Sequence, residues 1–215
     1  MPLVRYRIGV GAEVAHRQRH RVRLVAAALG NEMGQALGDD RGDLAADADV
    51  DHQLAAVAVA APARQVLPDL HGTFVAGVVR QVAPEARVQV YRALDSDGIG
   101  SEEAVACAIL QAADDGADII NLSLGTESYK DRPPVALNAA LNLLPDEIVV
   151  VAAAGNDGST RPNWPGAFKR VVAVGGLDRD LKPTKWSNRG NWVDFSTVGE
   201  GVVSTMGDGI NAWVE

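Results

Sequence analysis

Three short stretches hold residue types that could move protons or stabilise developing charge. The first is His71-Gly72-Thr73-Phe74-Val75-Ala76-Gly77, which carries one of four histidines followed by small residues. Two glycines inside a short helical pattern cost roughly 1 kcal/mol each relative to alanine. A helix tolerates that where something must approach its backbone closely. A histidine on the first turn of such a helix is held rigidly, and imidazole is the side chain that transfers a proton near neutral pH. The second stretch is Ser123-Leu124-Gly125, at the end of an apolar run, and the third is Ala154-Gly155-Asn156-Asp157-Gly158. Gly155 lets the backbone turn sharply, so Asn156 projects a carboxamide from the rim, a candidate donor to an oxyanion. Each stretch also has a plain structural reading: a core histidine, a strand ending in a tight turn, and an Asx-turn asparagine beside glycine. A lone His-Gly pair favours the plain reading, because short motifs often match by chance.

The surrounding pattern supplies elements to position these residues. Gly72 to Arg80 reads as a helix, and Arg87 to Leu94 as a strand. Asp95 to Gly100 is a loop by its turn residues. Ser101 then serves as N-cap of a helix running to Gly116, with Glu102 and Glu103 favoured at its positive end. Asp118 to Leu124, Ile148 to Ala154 and Val171 to Gly175 read as strands, and Pro133-Pro134 opens a helix over Val135 to Leu144. Apolar strands separated by helices imply a parallel sheet covered on both faces. Such sheets carry their sites at the carboxyl ends of the strands, which is where Ser123-Leu124-Gly125 and Gly155-Asn156 fall.

The 215 residues suffice for one α/β domain, and 47% hydrophobic with 22% charged residues is ordinary for a globular chain. The net charge of −8 and the lack of a basic patch argue against nucleic acid. No run is long enough for a membrane span. Met1 to Arg23 is basic without the apolar stretch of a secretory signal, so the compartment stays open. The single cysteine, Cys107, excludes an intrachain disulfide and reads as an inert core thiol in an apolar helix.

Residues 1 to 67 read differently. Between 9 and 70 there is no Ser, Thr, Lys, Ile, Phe, Tyr, Trp or Cys, whereas three of the histidines, His16, His20 and His52, fall there. Folded segments use Ser and Thr for caps and turns and Ile for strands. Arg21 to Leu29 is the expected first strand, and Ala45 to Ala63 an ill-defined helix ended by Pro62. The segment 1–67 is expected to be an atypical extension, disordered or translated from a shifted frame, with the domain proper over 68–215.

His-Gly-Thr-x-Val-Ala-Gly, then Asn-Leu-Ser-Leu-Gly, then Val-Val-Ala-Ala-Ala-Gly-Asn, in that order, resemble the subtilisin-like serine peptidases (subtilases, peptidase S8). The separation of His71 from Asn156 is close to the roughly 91 residues of a subtilisin. The resemblance covers 71 to 215 and implies a three-layer α/β sandwich with a mostly parallel central sheet. It implies an endopeptidase with His71 as general base and Asn156 as oxyanion donor. Ser123, Leu124 and Gly125 would pair with an extended polypeptide substrate. Gly98 and Gly100 would flank its other side, in the manner of strand addition. Ala153, Ala154 and Gly155, with Trp164-Pro165-Gly166, would line a roomy, apolar specificity pocket. The chemistry requires no cofactor; no residue is expected to ligate a metal, and a structural calcium is left open.

Two departures from the family pattern stand out. The family's nucleophile lies in Gly-Thr-Ser-x-Ala, about 157 residues after the histidine, a position beyond Glu215. None of Ser159, Ser187, Ser196 or Ser204 follows Gly-Thr. Val202 to Glu215 resembles the lead-in to that motif, so the chain is expected to stop just short of it. The acid, which the family places after a strand as Asp, Ser or Thr, and Gly, has no recognisable counterpart; Asp39 has the spacing but not the motif. The alternative to an endopeptidase is therefore a remnant that binds extended peptides without cutting them. A nucleotide-binding reading of Gly207-Asp208-Gly209-Ile210-Asn211-Ala212 fails because no helix can follow to hold a phosphate.

Overall fold

The computed structural model describes residues 4–5, 53–57, 71–95, 98–205 and 211–214. The first helix, α1, is His71–Val82; α2 is Glu102–Asp114 and α3 is Val135–Leu143. The strands are β1 Val4–Arg5, β2 Gln53–Val57, β3 Arg87–Val90, β4 Ile99–Gly100, β5 Ile119–Leu122 and β6 Thr126–Glu127. They continue with β7 Val149–Ala153, β8 Asn163–Trp164, β9 Val171–Leu177, β10 Phe195–Val198, β11 Val202–Thr205 and β12 Asn211–Val214. Six of them form one parallel sheet in the order β10-β9-β7-β5-β2-β3. The rest make antiparallel pairs, β1 with β4, β6 with β8 and β11 with β12.

The sheet is apolar on both sides because both are covered. Ile120, Leu122, Val150 and Ala152 face α2 and α3, packing with Val105, Ile109, Leu137 and Leu141. Their neighbours one residue out of phase, Ile119, Val149 and Val151, face α1 and pack with Val79 and Ala83. That alternation explains why these strands are continuous apolar runs. The arrangement is the expected three-layer α/β sandwich. Gly77 lets β11 lie against α1: a Cβ there would stand 2.3 Å from Ser204 Oγ, which donates to the Phe74 carbonyl at 2.6 Å.

Helix ends follow local chemistry. Ser101 Oγ accepts from the Ala104 N–H at 3.1 Å, the expected N-cap. The N-cap position of α3 is Pro134, whose side chain has nothing to offer. Glu102 Oε1 supplies the acceptor from another helix, taking the N–H groups of Ala136 and Leu137. At the other end Arg170 donates to the carbonyls of Leu141, Leu144 and Pro145.

Four expectations need correction or placing. Gln53–Val57 lies within the segment read as a helix over Ala45 to Ala63, yet it is a strand, paired in parallel with β3 on one side and β5 on the other. Alanine's helix preference yields to ladder pairing on both edges. Cys107 is exposed, not a core thiol. The buried face of α2 is Val105, Ile109 and Ala112, and residue 107 points away from it. Arg21 to Leu29, His16, His20 and His52 lie outside the described residues. The Gly207 to Ala212 motif runs into β12, a strand, so no helix follows it in the described chain.

Among the described residues no helix is long and apolar enough to cross a membrane, and no cluster of three His, Cys, Asp or Glu could hold a metal ion.

Candidate active site at the switch point of the sheet

From β2 the chain passes through α1 to β3 on one side of β2, then through α2 to β5 on the other. The order of sheet growth therefore reverses between β2 and β5. A crevice forms where strands part in this way, at their carboxyl ends. His71 begins the helix that follows β2, and Ser123 follows β5 directly, so the topology brings both to this crevice.

The His71 ring is buried, 4% exposed. It hydrogen-bonds to the Ser123 backbone, and its Nε2 is buried without a hydrogen-bond partner. Burial outweighs that hydrogen bond and lowers its pKa from the ordinary 6.5 to about 4. The imidazole is therefore neutral at pH 7, the form that can accept a proton. Neither of the causes that set this value is a carboxylate. No Asp or Glu stands anywhere between His52 and Pro68.

Ser123 and Leu124 are buried, and Ser123 Oγ accepts from Asn121 Nδ2 at 2.8 Å. The chain then runs into β6, which pairs with β8 so that Thr126 faces Trp164. Across the same end of the sheet, Ala153 closes β7 and the Ala154 N–H donates to the Val174 carbonyl at 2.7 Å. Gly155 has φ of +100°, a conformation that a side chain would strain. Asn156 follows it, at the edge of the crevice and half-buried.

The space between the two rims holds a group that sequence reasoning missed. The carboxamide of Asn163, 1% exposed, stands between Gly125 and Gly155. A Cβ on Gly125 would lie 1.9 Å from Asn163 Oδ1, and one on Gly155 would lie 2.7 Å from Asn163 Nδ2. The room left by these two glycines is taken by an amide, and Asn163 Oδ1 is buried without a hydrogen-bond partner. Asn188 is the second missed residue. Its Oδ1 accepts from the N–H groups of Asp157 and Ser159 at 3.0 and 2.9 Å. Asn188 sits in a loop, where asparagine ordinarily signals a turn, and Asn163 opens the two-residue strand β8.

Gly98 lies in the turn after β3 and Gly100 in β4. Gly98 has φ of +73° in a turn closed by the Asp95 N–H to the Ile99 carbonyl at 2.9 Å. Gly100 is in β4, whose free edge is occupied by β1, with Val4 opposite Gly100 and Arg5 opposite Ile99. The structure thus gathers His71, Ser123 to Gly125 and Ala153 to Asn156 at one end of the sheet.

Comparison with known proteins bears on this arrangement. Residues 62–211 match the model of the subtilase family, Peptidase S8. The thermophilic serine proteinase of Bacillus sp. (strain AK1) is 40% identical over 146 residues, 63% of this chain and 36% of that protein. Thermitase of Thermoactinomyces vulgaris is 38% identical over 145 residues, 63% of this chain and 51% of thermitase. The chain thus spans between about a third and half of the length of these relatives. Among solved structures, a mutant of the protease domain of PatA superposes with a TM-score of 0.68 at 25% identity, covering 77% of this chain and 74% of that one. The prenylagaramide maturation protease PagA has the same fold, with a TM-score of 0.67 at 24% identity over 76% of this chain and 68% of its own. With the family match extending over most of the chain and the sheet, helices and crevice laid out as described, this protein belongs to the subtilase family.

Proposed function

We propose that the protein serves in serine-type endopeptidase chemistry on extended polypeptides, with His71 as general base and the Asn156 carboxamide as oxyanion donor. The observation that carries this reading is His71: a buried, neutral imidazole held by the Ser123 backbone at the switch point, its Nε2 free to accept a proton. In such chemistry the base takes the nucleophile's proton and later returns it to the leaving amine, while fixed donors stabilise the tetrahedral oxyanion. Loss of the asparagine donor in a subtilisin costs about 10²–10³ in kcat. Ser123 to Gly125 supplies one wall for the peptide backbone and Gly98 to Gly100 the other, with Ala153 to Gly155 beneath the side chain next to the scissile bond. No cofactor enters the reaction.

The nucleophile is assigned to no residue of this sequence, since no serine follows Gly-Thr, and no acid is assigned. A second reading is that the chain binds extended peptides without cleaving them. Both are tested on the purified chain with a fluorogenic peptide and an isotherm for an uncleaved extended peptide. Hydrolysis abolished by His71→Ala supports the endopeptidase. Saturable binding without turnover, weakened when Gly125 carries a side chain, supports the binder. Neither hydrolysis nor binding overturns both.

A further inference from the structure

We propose that Asn188 is the positioning residue for the Asn156 carboxamide. This rests on the reading of Asn156 as a donor, but its test does not depend on turnover. Asn156 leaves β7 through a glycine in the left-handed region and belongs to no regular element. The direction of such a side chain depends on how the backbone on both sides of it is held. One residue holds both sides. The Asn188 N–H donates to the Gly155 carbonyl, immediately before Asn156, at 2.9 Å. The Asn188 Oδ1 accepts from the Asp157 N–H, immediately after it, at 3.0 Å, and from the Ser159 N–H at 2.9 Å.

The neighbours of Asn188 extend the grip. The Trp186 carbonyl accepts from the Gly158 N–H at 2.7 Å, and the Arg189 N–H donates to the Ser159 carbonyl at 2.9 Å. The segment 186–189 therefore lies along 155–159 as an irregular ladder, with Asn188 at its centre and 2% exposed. The fit is close on the other side too, because a Cβ on Gly155 would stand 2.4 Å from Asn188 Nδ2. The geometry asks for a side chain of this length ending in an oxygen that accepts two N–H groups. Serine is too short, and glutamine would collide. Buried side-chain oxygens that satisfy two backbone donors are costly to remove, because both donors are then left bare.

The test uses the full chain with Asn188→Ala and Asn188→Asp, the latter keeping an acceptor oxygen in place. The readouts are residue-resolved amide exchange and the side-chain NH₂ resonance of Asn156. In Asn188→Ala the Asp157 and Ser159 amides should exchange at least about tenfold faster, and the Asn156 NH₂ resonance should shift, while amides of β7 keep their protection. Asn188→Asp should restore both signals. A merely structural role would loosen β7 and the loop together and leave the Asn156 signal in step with the rest. Uniform acceleration, or an unchanged Asn156 resonance in Asn188→Ala, overturns the proposal. If neither variant folds, wild-type exchange decides: Asp157 and Ser159 should be protected and open together, and exchange at the rate of an unprotected amide overturns it.

Discussion

Acid should expose the cost of burying the His71 imidazole. In the folded chain its pKa is about 4, against 6.5 ordinarily. The unfolded chain therefore binds a proton more readily than the folded one between those values. Stability from this group is complete above pH 6.5, declines as pH falls through that value towards 4, and levels off below 4. Linkage gives a loss of about 2 kcal/mol at pH 5 and about 3 kcal/mol at pH 4. That is a large fraction of the stability of an ordinary domain. The comparison is wild type against His71→Gln, by urea unfolding followed through tryptophan fluorescence at pH 7.5 and pH 5.0. Glutamine stays neutral throughout, and every other titrating group is common to the two chains. Wild type should lose about 2 kcal/mol more than the variant over that interval. A companion proton NMR titration should show the His71 ring unmoved from pH 8 to pH 5. Equal losses in both chains, or a ring that titrates near 6.5, would refute the claim that burial holds this imidazole neutral, and with it the basis for calling His71 a ready base.

Two further outcomes follow from the packing. Gly125→Ala puts a Cβ 1.9 Å from Asn163 Oδ1, and Gly155→Ala puts one 2.4 Å from Asn188 Nδ2 at φ of +100°. Each should destabilise by about 1–3 kcal/mol, read as a lowered thermal midpoint, with Gly155→Ala the worse because it adds backbone strain to the clash. Glu102→Ala removes the side-chain acceptor that Ala136 and Leu137 use at the start of α3 and should cost about 1 kcal/mol in chemical denaturation; Glu102→Gln, which keeps an oxygen there, should recover part of it.

How far the fold could be read in advance depends on where its information lies. Val149 to Ala153, buried on both faces, announces itself as a run of apolar residues, and Ser101 announces a helix start by its own hydroxyl. The sequence set Ser123 and Asn156 at the carboxyl ends of two apolar strands by the strand pattern alone. β2 was misread because Gln-Leu-Ala-Ala-Val becomes a strand only through the partners on either side of it, which lie more than thirty residues away along the chain. Cys107 was misread because an apolar helix segment still has an outer face. Asn163 and Asn188 were invisible for a different reason. Their importance comes from glycines elsewhere, at 125 and 155, whose missing side chains make space that only the folded chain reveals.

The two-residue strand at Val4–Arg5 changes how affinity on the Gly100 lip should be understood. On the proposed reading of this lip, an arriving polypeptide that seeks main-chain partners at Ile99 and Gly100 meets a row already taken. Its gain there is the difference between two ladders rather than the whole of one, and measured binding would report an exchange, weaker than the crevice alone would give. Cutting the chain after Arg5 would convert that exchange into simple addition.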